Sequence, residues 1–148
     1  MDLSHYTFTC AWDLPAPPAA VLAVLECAEE YPRWWPQVRE VVPLDAVTGR
    51  ARFRSVLPYD LVVTLERGRR DPAAGVLEVS LTGDLEGWAR WTVTGRGGGS
   101  RVGYEQEVDV RKRLMRLLAP VARPAFRANH ALMMRAARRG LTNRLATV

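Results

Sequence analysis

A long run near the C-terminus, Arg113 to Arg144, constrains the chain more than any other stretch. Projected at 100° per residue, Leu114, Leu118, Val121, Ala122, Ala125, Leu132, Met133, Ala136 and Gly140 fall on one face, while Arg116, Arg123, Arg127, Arg135 and Arg138 fall elsewhere. This is an amphipathic helix of about 30 residues, ~45 Å long at 1.5 Å per residue, which must bury its apolar stripe against something large. Pro120 and Pro124 predict a short helix, a kink between them, then the main helix to about Thr142. Asn129 projects into the apolar stripe. A buried amide costs a few kcal/mol unless it is hydrogen-bonded, so protein, water or a ligand must meet it.

The residues before the helix alternate with the period of strands. Tyr6, Phe8, Cys10 and Trp12 share one face of a strand that Pro15, Pro17 and Pro18 terminate. Pro18 opens a helix with Val21, Leu22, Val24, Leu25 and Ala28 on its apolar face. Tyr31-Pro32-Arg33-Trp34-Trp35-Pro36 reads as one short helical turn ending near Trp34. Adjacent side chains on regular structure point apart, so Trp35 is expected in the core and Trp34 at a rim.

Strands then follow over Val38–Leu44, Ala51–Val56, Leu61–Arg69, Val76–Thr82, Leu85–Thr94 and Arg101–Val110, with turns at Thr48-Gly49, Asp71-Pro72, Gly83-Asp84 and Gly95–Gly99. Gly87 marks a bulge or a close backbone approach. In the last strand Val102, Tyr104, Gln106, Val108 and Val110 share a face, and Gly103, Glu105, Glu107 and Asp109 the other. Connections of two to six residues imply an antiparallel meander, and its dry face needs the long helix as cover.

The 148 residues fit one domain burying roughly 70% of its unfolded surface. No apolar run reaches the ~20 residues of a membrane span, and residues 1–6 show no secretion signal. Cys10 and Cys27 stand apart without metal-ligand spacing and read as reduced core thiols of a cytoplasmic protein. No zinc spacing, phosphate loop or Ser/His/Asp set occurs, so neither metal nor cofactor is expected. The net charge of +5 is uneven. Residues 111–148 carry +10 with no acid, and the remainder −5. A helix packed on one face needs a solvated face on the other, and no aromatics interleave with these arginines, which argues against nucleic acid. An acidic protein, RNA or anionic membrane remains an alternative partner for this segment.

The order of elements resembles the helix-grip fold of the START and Bet v 1-like (SRPBCC) superfamily and is most similar to its bacterial polyketide cyclase/dehydrase group. The resemblance spans the chain and is carried by Ala16-Pro17-Pro18, the Tyr31–Pro36 segment, Leu57-Pro58-Tyr59, Gly83-Asp84-Leu85-Glu86-Gly87 and Asn129-His130-Ala131-Leu132-Met133-Met134-Arg135. It implies an α+β fold in which a curved antiparallel sheet of about six to seven strands wraps a long kinked C-terminal helix. It also implies a hydrophobic ligand, such as a polyketide, isoprenoid or lipid, held between sheet and helix.

If sheet and helix face each other, Asn129, Gln106 and Tyr104 meet inside. Either the two amides satisfy each other or the backbone, or they greet a ligand. Tyr59, Trp35, Trp88, Trp91, Phe126 and Met133 are candidates for the cavity wall, each equally suited to plain core packing. His130 projects to the edge of the stripe and is expected to be half exposed, although a histidine beside buried polar groups could serve as a base. Carrying a ligand is the leading function. The alternative is an aromatase/cyclase-like enzyme acting on a chain tethered to an acidic carrier protein, which would dock on the basic helix face.

Overall fold

The computed structural model describes residues 5–54, 60–111, 117 and 119–146. Leu57-Pro58-Tyr59, Leu114 and Leu118 lie outside the described residues, as do the side chains of Val121 and Ala122.

Strand β1 (His5–Leu14) is followed by α1 (Pro18–Glu26) and a 3-10 turn (Ala28–Arg33). Six strands follow: β2 (Val38–Pro43), β3 (Thr48–Arg54), β4 (Asp60–Asp71), β5 (Val76–Gly83), β6 (Leu85–Arg96) and β7 (Gly99–Val110). The chain then forms helix α2 (Ala119–Ala146). All strands join one antiparallel sheet in the order β1-β7-β6-β5-β4-β3-β2. The meander from β2 to β7 is the arrangement that the short connections require, and β1 closes onto β7, with Tyr6 opposite Val108 and Trp12 opposite Val102. The sheet curves around α2 in a helix-grip fold.

Period-two burial places the strand faces as expected. On β7, Val102, Tyr104, Gln106, Val108 and Val110 are buried in strict alternation. Gly87 is a close approach rather than a bulge. Its register with Val108 is regular, and a Cβ there would overlap the carbonyl oxygen of Glu107. Thr48 and Gly49 begin β3 instead of turning. The turn lies one step earlier, where the Asp45 carboxylate accepts from the N–H groups of Val47 (2.9 Å) and Thr48 (2.8 Å).

Both tryptophans of the Trp34-Trp35 pair are buried, at 5% and 4% exposure, and they stack with centroids 5.6 Å apart. The expectation that one would cover a rim fails because Trp34 leaves the 3-10 turn at φ −127, ψ −12, irregular backbone where neighbouring side chains need not diverge. The Trp35 indole N–H donates to the Met133 carbonyl of α2 at 3.0 Å, pinning the segment to the helix.

Helix α2 continues without interruption through Pro124 and ends four residues beyond Thr142. Its inward face is turned about one residue from the projected stripe. Phe126, Asn129, Met134, Ala137 and Leu141 are buried, whereas Leu132 is 49% exposed. A helical side chain leans toward the N-terminal turn, so the spot a wheel assigns to one position is covered by a residue slightly later in the chain. The basic residues are not all on a solvated face either. Arg123 lies over the Tyr6 ring (4.5 Å) and donates to the His5 carbonyl at 3.1 Å, fastening α2 to the edge strand β1. Cys10 is half-buried and Cys27 exposed, both unpaired, so Cys27 is not the core thiol expected.

Candidate functional site: a cavity between sheet and helix

The buried residues form two clusters. One gathers Trp12, Trp34, Trp35, Trp91, Val21, Leu25, Ala137 and Leu141, and the other Tyr6, Leu61, Val63, Leu81, Val108 and Phe126. Between α2 and the concave sheet face lies a cavity of about 240 Å³. Interiors of this size are normally packed to crystal density with few voids larger than a water, and a 150 Å³ apolar cavity is already enough to admit benzene.

The strands supply the apolar wall with alternate residues: Ala51 and Phe53, Leu61 and Leu65, Leu77, Val79 and Leu81, Ala89 and Trp91. From α2 come Phe126, Asn129, His130, Met133 and Met134. Among the predicted wall residues, Trp35, Trp91, Phe126 and Met133 line the cavity, with Tyr104, Gln106 and Asn129. Tyr59 lies outside the described residues. Trp88 is excluded, since it sits on the opposite face of β6 from Ala89 and Trp91, with the Arg90 guanidinium over its ring at 4.8 Å.

The polar end is built differently from expectation. Gln106 Oε1 accepts from Tyr104 Oη–H at 2.5 Å and lies 3.2 Å from His130 Nε2. Because the amide oxygen can only accept, His130 must present Nε2–H, which fixes its neutral tautomer. The imidazole also stacks on Phe8, centroids 3.7 Å apart and planes 8° from parallel. His130 is partly exposed, as its place at the edge of the stripe predicts, and is also a cavity residue and the partner of Gln106. Asn129, 6% exposed, is buried against the cavity.

Burial sets the charge states here. Desolvation lowers the His130 pKa to about 4 and raises that of the Tyr104 hydroxyl, so both are neutral near pH 7. The sign for stability follows. Between pH 6.5 and 4 the unfolded chain binds the imidazole proton and the folded one does not, so stability falls as the pH falls through this window. The loss amounts to on the order of 3 kcal/mol. Denaturant midpoints across that window should drop steeply for the wild type and less steeply for His130→Gln; equal slopes would show that His130 is not the titrating group.

The mouth is where the lining residues become exposed: Glu29 after α1, Asp45–Val47 in the β2–β3 turn, and Arg67, Arg69 and Arg70 on β4. Arg70 bridges it, donating to both carboxylate oxygens of Glu26 at 3.3 and 2.8 Å. Sequence reading missed these arginines, although the signal for Arg67 was present. The inward alternation Leu61, Val63, Leu65 continues in step to Arg67, and the irregularity between Arg67 and Arg70 then sets Arg70 opposite Leu77.

The sequence profile of the polyketide cyclase/dehydrase and lipid transport family matches residues 14–138. The chain belongs to this family. Among solved structures it is similar to the Zhui aromatase/cyclase from Streptomyces sp. R1128, at TM-score 0.80 and 16% identity over 96% of this chain and 94% of that one. It is similar also to a START superfamily protein from Mycobacterium smegmatis, at TM-score 0.76 and 14% identity over 95% and 97% of the two chains. A third likeness is to the di-domain ARO/CYC StfQ of the steffimycin biosynthetic pathway, at TM-score 0.71 and 13% identity, covering 99% of this chain and 53% of that one. At such identities the likeness is one of fold. No curated protein sequence matches the chain. No helix among the described residues is long and apolar enough to cross a membrane.

Proposed function

We propose that the chain is a single ligand-binding domain that carries a hydrophobic, ring-containing small molecule, such as a polyketide, isoprenoid or lipid, between the sheet and α2. The observation that carries this reading is the cavity itself, with an apolar wall and one cluster of neutral polar groups, Tyr104, Gln106, Asn129 and His130. Sites for small molecules have this composition, apolar surface for affinity and few polar groups for orientation. We place the protein in the cytoplasm, a reading supported by the unpaired thiols Cys10 and Cys27. Native mass spectrometry of the purified protein tests the reading. A one-to-one adduct, either retained from the cell or formed with added N-phenyl-1-naphthylamine, is expected. Bare protein at every probe concentration would overturn it.

A second reading, an aromatase/cyclase acting on a carrier-tethered chain, is supported by the Gln106 NH2 group at the deep end, a preorganised donor for the oxygen of a carbonyl as it enolises. Burial lowers the His130 pKa and holds the imidazole neutral near pH 7, a weaker base than a solvated histidine. An acidic carrier would dock at Arg67 and Arg69 beside the mouth, a more direct route to the cavity than the outer face of α2. Incubation with a reactive poly-ketone thioester should then shift the products toward cyclised ones, and an unchanged product profile would exclude this activity.

A further inference from the structure

The polar end of the cavity has a direction. Gln106 Oε1 is engaged by two donors, Tyr104 Oη–H and His130 Nε2–H. A carbonyl oxygen has two lone pairs, so its accepting capacity is filled and the orientation of the amide is set. What Gln106 has left to offer is its NH2 group. Among the described residues, Nε2 of Gln106 meets no acceptor. It is not sealed away either. Among the described residues the sealed side-chain atoms without a partner include Trp34 Nε1 and Gln37 Oε1, and Gln106 Nε2 is not one of them. Gln106 is 6% exposed and lines the cavity, so the amide opens there.

The charge distribution adds a second constraint. The cations lining the cavity are all exposed, Arg67, Arg69 and Arg70 at its mouth and Arg54 at the far end of β3. The deep end carries no formal charge, because burial keeps both the imidazole and the phenol neutral. A carboxylate or phosphate brought there would lose its hydration without meeting a counter-charge, at a cost that excludes it. A neutral acceptor would instead satisfy an N–H that is already desolvated and already aimed.

We infer that the buried end of the ligand is an uncharged hydrogen-bond acceptor, the carbonyl oxygen of a ketone, aldehyde, ester or quinone, received by Nε2 of Gln106, and that anionic groups are kept out of this end. The inference rests on the cavity reading and specifies the chemistry of its occupant. Tyr104 and His130 are positioning residues in this arrangement. They hold the amide oxygen, and through it aim the nitrogen.

Three naphthalenes of similar size test it: 2-acetylnaphthalene, 2-ethylnaphthalene and 2-naphthoate, titrated at pH 7.5 into the wild type and Gln106→Leu, with affinities corrected for each compound's partition from water. The ketone should bind the wild type about tenfold or more tighter than the hydrocarbon, and 2-naphthoate should bind weakest. The ketone's carbonyl stretch should move to lower frequency on binding the wild type. Gln106→Leu should erase both the preference and the shift while still binding 2-ethylnaphthalene. Should that variant not fold, Gln106→Met takes its place, and the wild-type comparison and infrared shift stand without either. Equal binding of ketone and hydrocarbon, an unshifted carbonyl, a preference that survives in the folded variant, or naphthoate binding as tightly as the ketone would overturn the inference and leave the cavity reading intact. Failure of all three compounds to bind would overturn both.

Discussion

Gly140→Ala is expected to cost the protein at least about 3 kcal/mol, although the same change in an ordinary exposed helix gains about 1 kcal/mol from propensity. The difference lies in what a Cβ would meet. Built on Gly140, it overlaps the Trp34 carbonyl oxygen and comes within 2.8 Å of the carbonyl carbon. Both partners are backbone, so no rotamer change relieves the clash. Either α2 lifts away or the segment after the 3-10 turn retreats, and both movements strain the Trp35 Nε1 to Met133 O bond and the packing of Leu141, which is 0% exposed. The melting temperature should fall by roughly 10 °C. A melting temperature equal to or above that of the wild type would mean that α2 does not cross Trp34 this closely.

The second large effect is on binding. Ala89→Phe should weaken binding of N-phenyl-1-naphthylamine by at least about a hundredfold, while stability changes by less than about 1.5 kcal/mol. Ala89 is 8% exposed, sits on the concave face of β6 opposite Gln106 in the β6–β7 register, and lines the cavity. A phenyl group projecting into a cavity of about 240 Å³ occupies much of its width beside Gln106 and leaves too little room for the three rings of the probe. The substitution is tolerated because the space is already there, and overpacking strain arises where it is not. Circular dichroism together with a probe titration separates the two quantities. Undiminished affinity in the folded variant would place the binding site elsewhere.

Strand periodicity carried most of the fold. Tyr6 to Trp12 and Val102 to Val110 alternate so regularly that faces and pairing direction follow from the residue order, and five short connections from β2 to β7 leave little but a meander. The helix was harder. Its stripe is rich in alanine, and alanine marks a face weakly, so a one-residue rotation moved Leu132 from the core to solvent and brought Met134, Ala137 and Leu141 inward. Trp34 was misplaced because the rule that neighbours diverge belongs to regular backbone, and Trp34 stands where the 3-10 turn has ended.

The candidate site was legible in its ingredients and not in its wiring. A glutamine on an apolar strand face and an asparagine in an apolar helix stripe both signal a polar event inside. Which helix residue reaches Gln106 depends on the axial offset of α2 over β7, to which a helical wheel is blind, and His130 meets it at 3.2 Å. A void, likewise, is the remainder between elements after packing, and no single residue announces it. Of the arginines at the mouth, Arg67 is visible as a continuation of the β4 alternation past Leu65, whereas the irregularity after it, which no periodicity announces, positions Arg69 and Arg70.

The central claim, that the space between α2 and the sheet receives a hydrophobic guest, is tested most directly by equilibrium fluorescence titration of the wild type with N-phenyl-1-naphthylamine, an uncharged probe. The account predicts saturable one-to-one binding with enhanced, blue-shifted emission, competed stoichiometrically by 2-acetylnaphthalene. A signal that rises linearly without saturation, or that no small aromatic competes for, would contradict it.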